Sequence, residues 1–311
     1  EDGIRDSVAS RGLGDVYKRQ VSKFIRVRQK QKRIQEPELT EEGFTQVKID
    51  HSGVQLNCLE WGDRSNPPML LLHGLQDCAR SWEIFAHSVA DDYWVVALDS
   101  RGHGDSDHIP GHYSFVDYLS DVEVTISSLA MDNPILIGHS AGGRYAFSYA
   151  AQKKNEVRAL VIVDIDPDSV NESSGSMFER YKNESDEWNT FEDVVDRLWS
   201  RQPLSSEEMV KFQAEVMTKL KPNGVWQWKR DRKLIYEYER PDLWSTWREV
   251  ECPTVVIRGR QSTLLTHETA VKMREQLSQC KLAELEGGGH WFYQESPGAF
   301  ESTVKWFLDT I

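Results

Sequence analysis

The run Pro134-Ile-Leu-Ile-Gly138-His139-Ser140-Ala141-Gly142-Gly143 sets a serine inside Gly-x-Ser-x-Gly, between an apolar run and a segment of small residues. A glycine-rich turn could produce the pentapeptide alone, but a strand before it and a helix after it are the mechanical requirement for a strained, exposed nucleophile. A serine hydroxyl attacks carbonyl carbon only when a base removes its proton, so a histidine must arrive from elsewhere in the chain. Of nine histidines, His290 stands in Gly287-Gly-Gly-His-Trp291, a loop between an apolar run and a C-terminal helical segment. The developing oxyanion also needs donors. Leu70-Leu-Leu-His73-Gly74-Leu75 runs into a tight turn, which makes the N–H groups of Leu75 and Ala141 the natural pair. This chemistry requires no metal or cofactor. His73 and His103 read as structural, and so does His139, which also adjoins the candidate nucleophile.

These residues need a scaffold that brings several turns to one edge. Short apolar runs at 54–60, 69–72, 94–98, 135–137, 159–163, 254–257 and 282–285 read as strands. Between them, 81–90, 114–130, 141–151, 267–277 and 297–308 read as helices. Runs that are continuously apolar, rather than alternating, predict strands covered on both faces. That pattern is a mainly parallel sheet flanked by helices, an α/β fold. From Asp168 to Val250 the rhythm stops: no convincing strand is legible, and the segment is rich in Trp and charge. It reads as a helical insertion. The expected organisation is therefore a core over 43–167 and 251–311 with the insertion at 168–250.

Composition bounds the partners. The 311 residues carry a net charge of −13, with a net +6 over residues 1–35 and −19 over the rest. An acidic body argues against nucleic acid. Residues 1–35 lack apolar periodicity and read as a basic, disordered extension, of which 5–20 resembles translated adaptor sequence. The sequence contains neither a signal-peptide pattern nor an apolar run long enough to span a membrane. Cys58, Cys78, Cys252 and Cys280 are far apart without ligand spacing, which suits a reducing, cytoplasmic setting. Oligomeric state stays open.

From about Gly43 onward the order of motifs resembles the α/β-hydrolase superfamily. The matches are His73-Gly74, the turn Asp99-Ser-Arg101-Gly102-His103-Gly104-Asp105-Ser106, the turn around Ser140, and Gly289-His290 followed by Pro297. The resemblance implies a helical cap between the family's sixth and seventh strands. It is finer to serine esterases, lactonases and carbon–carbon bond hydrolases. A serine at 140 departs from the aspartate nucleophile of dehalogenases and epoxide hydrolases.

One part of the pattern breaks. The loop after the seventh strand, where such relatives carry the acid, has Thr263 instead. Asp164, just past the sixth strand, is the substitute this comparison favours. Asp166, Asp231 or no acid at all remain alternatives, and the last would fit a barely catalytic, receptor-like homologue. Trp82, His139 and Trp291 are the candidates for lining a pocket for a small hydrophobic ester, lactone or diketone, although core packing accounts for any single aromatic. Arg80 and Arg144 could bind a carboxylate but read as solvated surface.

Overall fold

In a computed structural model the described residues are 38–39 and 43–311, all within the compact unit 34–311. The expected disordered extension over 1–35 lies outside them. Nine strands form one sheet in the order β1-β2-β3-β5-β4-β6-β7-β11-β12. They are β1 Glu38–Leu39, β2 Thr45–His51, β3 Val54–Trp61, β4 Pro68–Leu72, β5 Trp94–Asp99, β6 Ile135–His139, β7 Ala159–Val163, β11 Thr254–Gly259 and β12 Cys280–Leu285. Pairing is antiparallel from β1 to β5 and parallel from β5 through β12.

The continuous apolar runs are buried on both faces for a visible reason. Leu70 and Leu72 of β4 join a core with α2 (Phe115–Ser128) and α3 (Ala141–Gln152), whereas Met69 and Leu71 join a second core with α1 (Glu83–Val89) and α11 (Pro297–Leu308). Strand β2, which the sequence reading did not recognise, is different: Val47 and Ile49 are buried between partly exposed neighbours, the alternation of a half-covered outer strand. The α2 start is set by a capping box between Ser114 and Asp117.

Strand order decides where a site can form. The chain passes from β4 to β5 on one side, then returns to place β6 on the other side of β4. The connections α1 and α2 leave toward opposite faces, so a crevice opens beyond the carboxyl ends of β4 and β6. Leu75 follows β4 and Ser140 follows β6.

Between β7 and β11 lie α4 (Glu172–Asn183), α5 (Phe191–Arg201), α6 (Glu207–Met217), α7 (Leu234–Glu237) and α8 (Trp244–Trp247). The insertion also holds β8 (Glu187–Trp188), β9 (Thr218–Leu220) and β10 (Trp226–Trp228), which form a small antiparallel sheet in the order β8-β10-β9. That corrects the strandless reading of 168–250. Strands of two or three residues are too short to print a period-two pattern. Val194, Leu198, Val210, Ala214 and Trp228 give this segment an apolar core of its own.

Candidate active site

Ser140 occupies the turn between β6 and α3 at φ 51°, ψ −122°, a conformation costly for any residue with a Cβ. Close packing imposes it. A Cβ on Gly138 would fall 2.5 Å from the Gly142 carbonyl oxygen, and one on Gly142 would fall 2.3 Å from that of Leu72. Only glycine at both places lets α3 start directly against the ends of β6 and β4. The Ser140 N–H donates to the Val163 carbonyl at 3.0 Å, which ties the turn to β7.

His290 comes from the loop after β12. Its Nδ1 lies 2.7 Å from Oδ2 of Asp164, which is fully buried at the end of β7. Asp164 also takes a positive φ of 50°, and its N–H donates to the Ile257 carbonyl at 2.9 Å. That bend turns the carboxylate from the sheet toward the loop. The Ser262 hydroxyl donates to the same Oδ2. A neutral imidazole that donates from Nδ1 keeps Nε2 as its basic atom. Among the described residues the Ser140 hydroxyl makes no hydrogen bond to His290, a contact that commonly tightens only when substrate arrives. What joins the two loops is His139, whose Nε2–H donates to the His290 carbonyl at 2.9 Å. The two rings stand 4.6 Å apart.

Leu75 and Ala141 line one small pocket with Gly74 and Tyr145. Ala141 is the first residue of α3, so its N–H has no partner within the helix and carries the positive end of the helix dipole. Among the described residues neither the Leu75 nor the Ala141 amide has an acceptor. Such a pair can receive an anionic oxygen.

The family model for the alpha/beta hydrolase fold matches residues 67–297. The chain belongs to the alpha/beta-hydrolase family. It is 26% identical over 274 residues to a 2-(acetamidomethylene)succinate hydrolase of Mesorhizobium japonicum, covering 88% of this chain and 98% of that protein. It is also 26% identical over 292 residues to epoxide hydrolase 1 of Caenorhabditis elegans, covering 86% and 71%. Among solved structures, E-2-(acetamidomethylene)succinate hydrolase superposes with a TM-score of 0.80 at 26% identity, covering 86% of this chain and 99% of that one. The protein is a hydrolase.

In this hydrolase the remaining candidates separate. Asp166 is paired with Arg240 at 2.7 Å, and Asp231 accepts from the Tyr113 hydroxyl at 2.9 Å; neither contacts His290. Thr263 is exposed, and its carbonyl accepts from Ser173. His73 and His103 are satisfied locally, by Gly74 and Ser100 and by Arg101 and Gln76. His139 is buried, and among the described residues its Nδ1 has no partner. Trp291 packs edge-on against the His290 ring at 4.8 Å. Trp82 does not line the cleft: it is fully buried against Tyr293, Phe85 and Phe300, because its short 3-10 turn, Ala79–Trp82, aims it into the core. Arg144 is not solvated surface either. It is fully buried and donates to the carbonyls of Asp166, Asp168 and Pro241, holding the start of the insertion to its end.

The sequence reading missed Ser262. Ser262 stands in the loop where an acid was sought, but a hydroxyl has no charge pattern to betray it.

Burial pulls the His290 imidazole below its ordinary range and the charges of Arg201 and Arg240 add to this, while Asp77 and the Asp164 carboxylate on Nδ1 oppose it. Since the base must be neutral to take the serine proton, a lowered pKa moves the acid limb of kcat/KM to lower pH. The limb is expected well under the ordinary value of about 6.5. A pH profile of ester hydrolysis with its acid limb at or above that value would contradict this electrostatic picture.

Proposed function

We propose that this hydrolase cleaves small esters or lactones through an acyl-enzyme. Ser140 Oγ attacks the carbonyl carbon while His290 Nε2 takes its proton, and the N–H groups of Leu75 and Ala141 hold the oxyanion. The tetrahedral adduct collapses, and the leaving alcohol receives the proton from His290. Water, deprotonated by the same nitrogen, then releases the acid and restores the serine. Asp164 keeps the imidazole in the required tautomer and stabilises the imidazolium formed in each half.

The observation that carries this reading is the Asp164 carboxylate on His290 Nδ1, with the strained Ser140 one residue from the histidine that braces the same loop. A fully buried carboxylate at that nitrogen favours turnover over a receptor-like homologue. The insertion acts as a cap in this reading. Supporting it, Arg230 donates to Gln76, the residue after Leu75, at 3.1 Å, and Ser81 donates to Gln213 at 2.9 Å. The contacts fasten 168–250 to the loop that carries Leu75 and to the 3-10 turn that follows it.

A serine-directed fluorophosphonate tests the nucleophile. It is expected to add one adduct, on the peptide containing Ser140. An unlabelled protein, or an adduct on another residue, would remove the basis of the proposal.

A further inference from the structure

Burying a guanidinium is expensive unless an anion and hydrogen-bond acceptors compensate it. Among the described residues, four other buried arginines meet that rule with a carboxylate and a fifth is held by backbone carbonyls alone. Arg101 is paired with Asp121, Arg230 with Asp186, Arg240 with Asp166 and Arg258 with Glu284, while Arg144 is held by three backbone carbonyls. Arg201 does not. At the C-terminal end of α5 it is 8% exposed, yet among the described residues its hydrogen bonding consists of one contact from Nη2 to the Met217 sulfur at 3.7 Å. Among the described residues its Nε is buried without an acceptor; that of Arg144 is too, but both Nη atoms of Arg144 donate to carbonyls.

The neighbours do not neutralise it. The guanidinium lies over the Trp291 ring at 4.6 Å, a favourable but uncharged partner. Tyr181, Tyr293 and Arg197 are near enough to affect it, and so is one acid, Asp77. The carboxylate of Asp77 is already taken: Oδ1 accepts from the Cys78 N–H and the Ser81 hydroxyl, and Oδ2 from the Tyr293 hydroxyl at 2.7 Å and from Gln294. Trp291 in turn touches the His290 ring, so the unpaired cation sits one aromatic ring away from the candidate base.

We propose that Arg201 is the binding site for a substrate carboxylate, so that the preferred substrates are esters, lactones or thioesters bearing a free carboxylate a few bonds from the scissile carbonyl. This rests on the hydrolase reading above and names the substrate class for it. The planar fork of Arg201 supplies directed donors for such an anion, and entry of the carboxylate gives the buried cation the partner it lacks.

The test compares monoethyl glutarate with ethyl 5-methylhexanoate, in which an isopropyl group replaces the carboxylate. A charged hydrogen bond of about 1.5–3 kcal/mol corresponds to a preference of about 10- to 100-fold in kcat/KM for the charged ester. Arg201→Met is expected to collapse that ratio toward one, and Arg201→Lys to keep part of it. Glutarate itself, titrated calorimetrically into each protein, reads the anion site without turnover and should bind Arg201→Met at least 10-fold more weakly than wild type. Unfolding midpoints of the two variants guard against a folding artefact. A wild type indifferent to the carboxylate, or an Arg201→Met variant that retains both the ratio and glutarate binding, would overturn the proposal while phosphonate labelling left the serine mechanism standing. Arg201-dependent glutarate binding in a protein that neither labels nor turns over ester would do the reverse.

Discussion

Exchanging Ser140 for alanine is expected to lower ester turnover by about 10⁶-fold, the scale on which removing the nucleophile of a serine hydrolase acts. The loss should fall on kcat, since the hydroxyl forms a bond only along the reaction path and contributes little to holding the ground state. Folding should survive. The strained backbone at Ser140 is imposed by Gly138 and Gly142 on either side, and alanine asks nothing more of it than serine does. Turnover of a small activated ester, measured with an unfolding curve on the same sample, checks both halves. Activity within about 100-fold of wild type would exclude Ser140 as nucleophile, because the oxyanion donors and binding alone leave only about 10³–10⁴ over water.

Asp164→Asn is expected to cost about 10⁴ in kcat, by analogy with the buried triad aspartate whose amide fixes the wrong tautomer. The geometry makes the exchange specific. An asparagine would still fit among Ser262, Ile257 and His290, but where it presents an NH₂ to Nδ1 the imidazole must turn its proton to Nε2, the atom meant to accept from Ser140. Thr263→Asp should add little in either background. That position is exposed and its loop is pinned by the Ser173 hydrogen bond to the Thr263 carbonyl, so a new carboxylate there faces solvent. An inert Asp164→Asn together with a large gain from Thr263→Asp would reverse this assignment of the acid.

Much of the architecture and half of the candidate site were legible in the chain, and for local reasons. Runs such as Ile135–Ile137 and Ala159–Val163 are apolar at every position, which suits only a strand with both faces covered. The glycines around Ser140 are a steric requirement of a strand turning at once into a helix, so the candidate nucleophile is legible in ten consecutive residues. His290 followed from its place between the last strand and the last helix. Strand β2 and the small sheet of the insertion were not legible, since short or half-buried strands leave too few positions to define a period.

Tertiary structure decided the rest. Asp164 and His290 are 126 residues apart, and they meet because β7 pairs with β11, β11 with β12, and the positive φ at Asp164 turns its side chain toward the loop beyond. Asp166, two residues on, turns instead to Arg240, a difference that no acid-rich stretch can announce. The same holds for the arginines: Arg144 reads as a solvated surface cation, and only packing shows it buried and held by carbonyls, and Arg201 buried beside Trp291 with no carboxylate hydrogen-bonded to it among the described residues. Sequence patterns encode periodic burial and backbone sterics, which are local; which polar side chains face one another depends on register and direction across strands far apart in the chain.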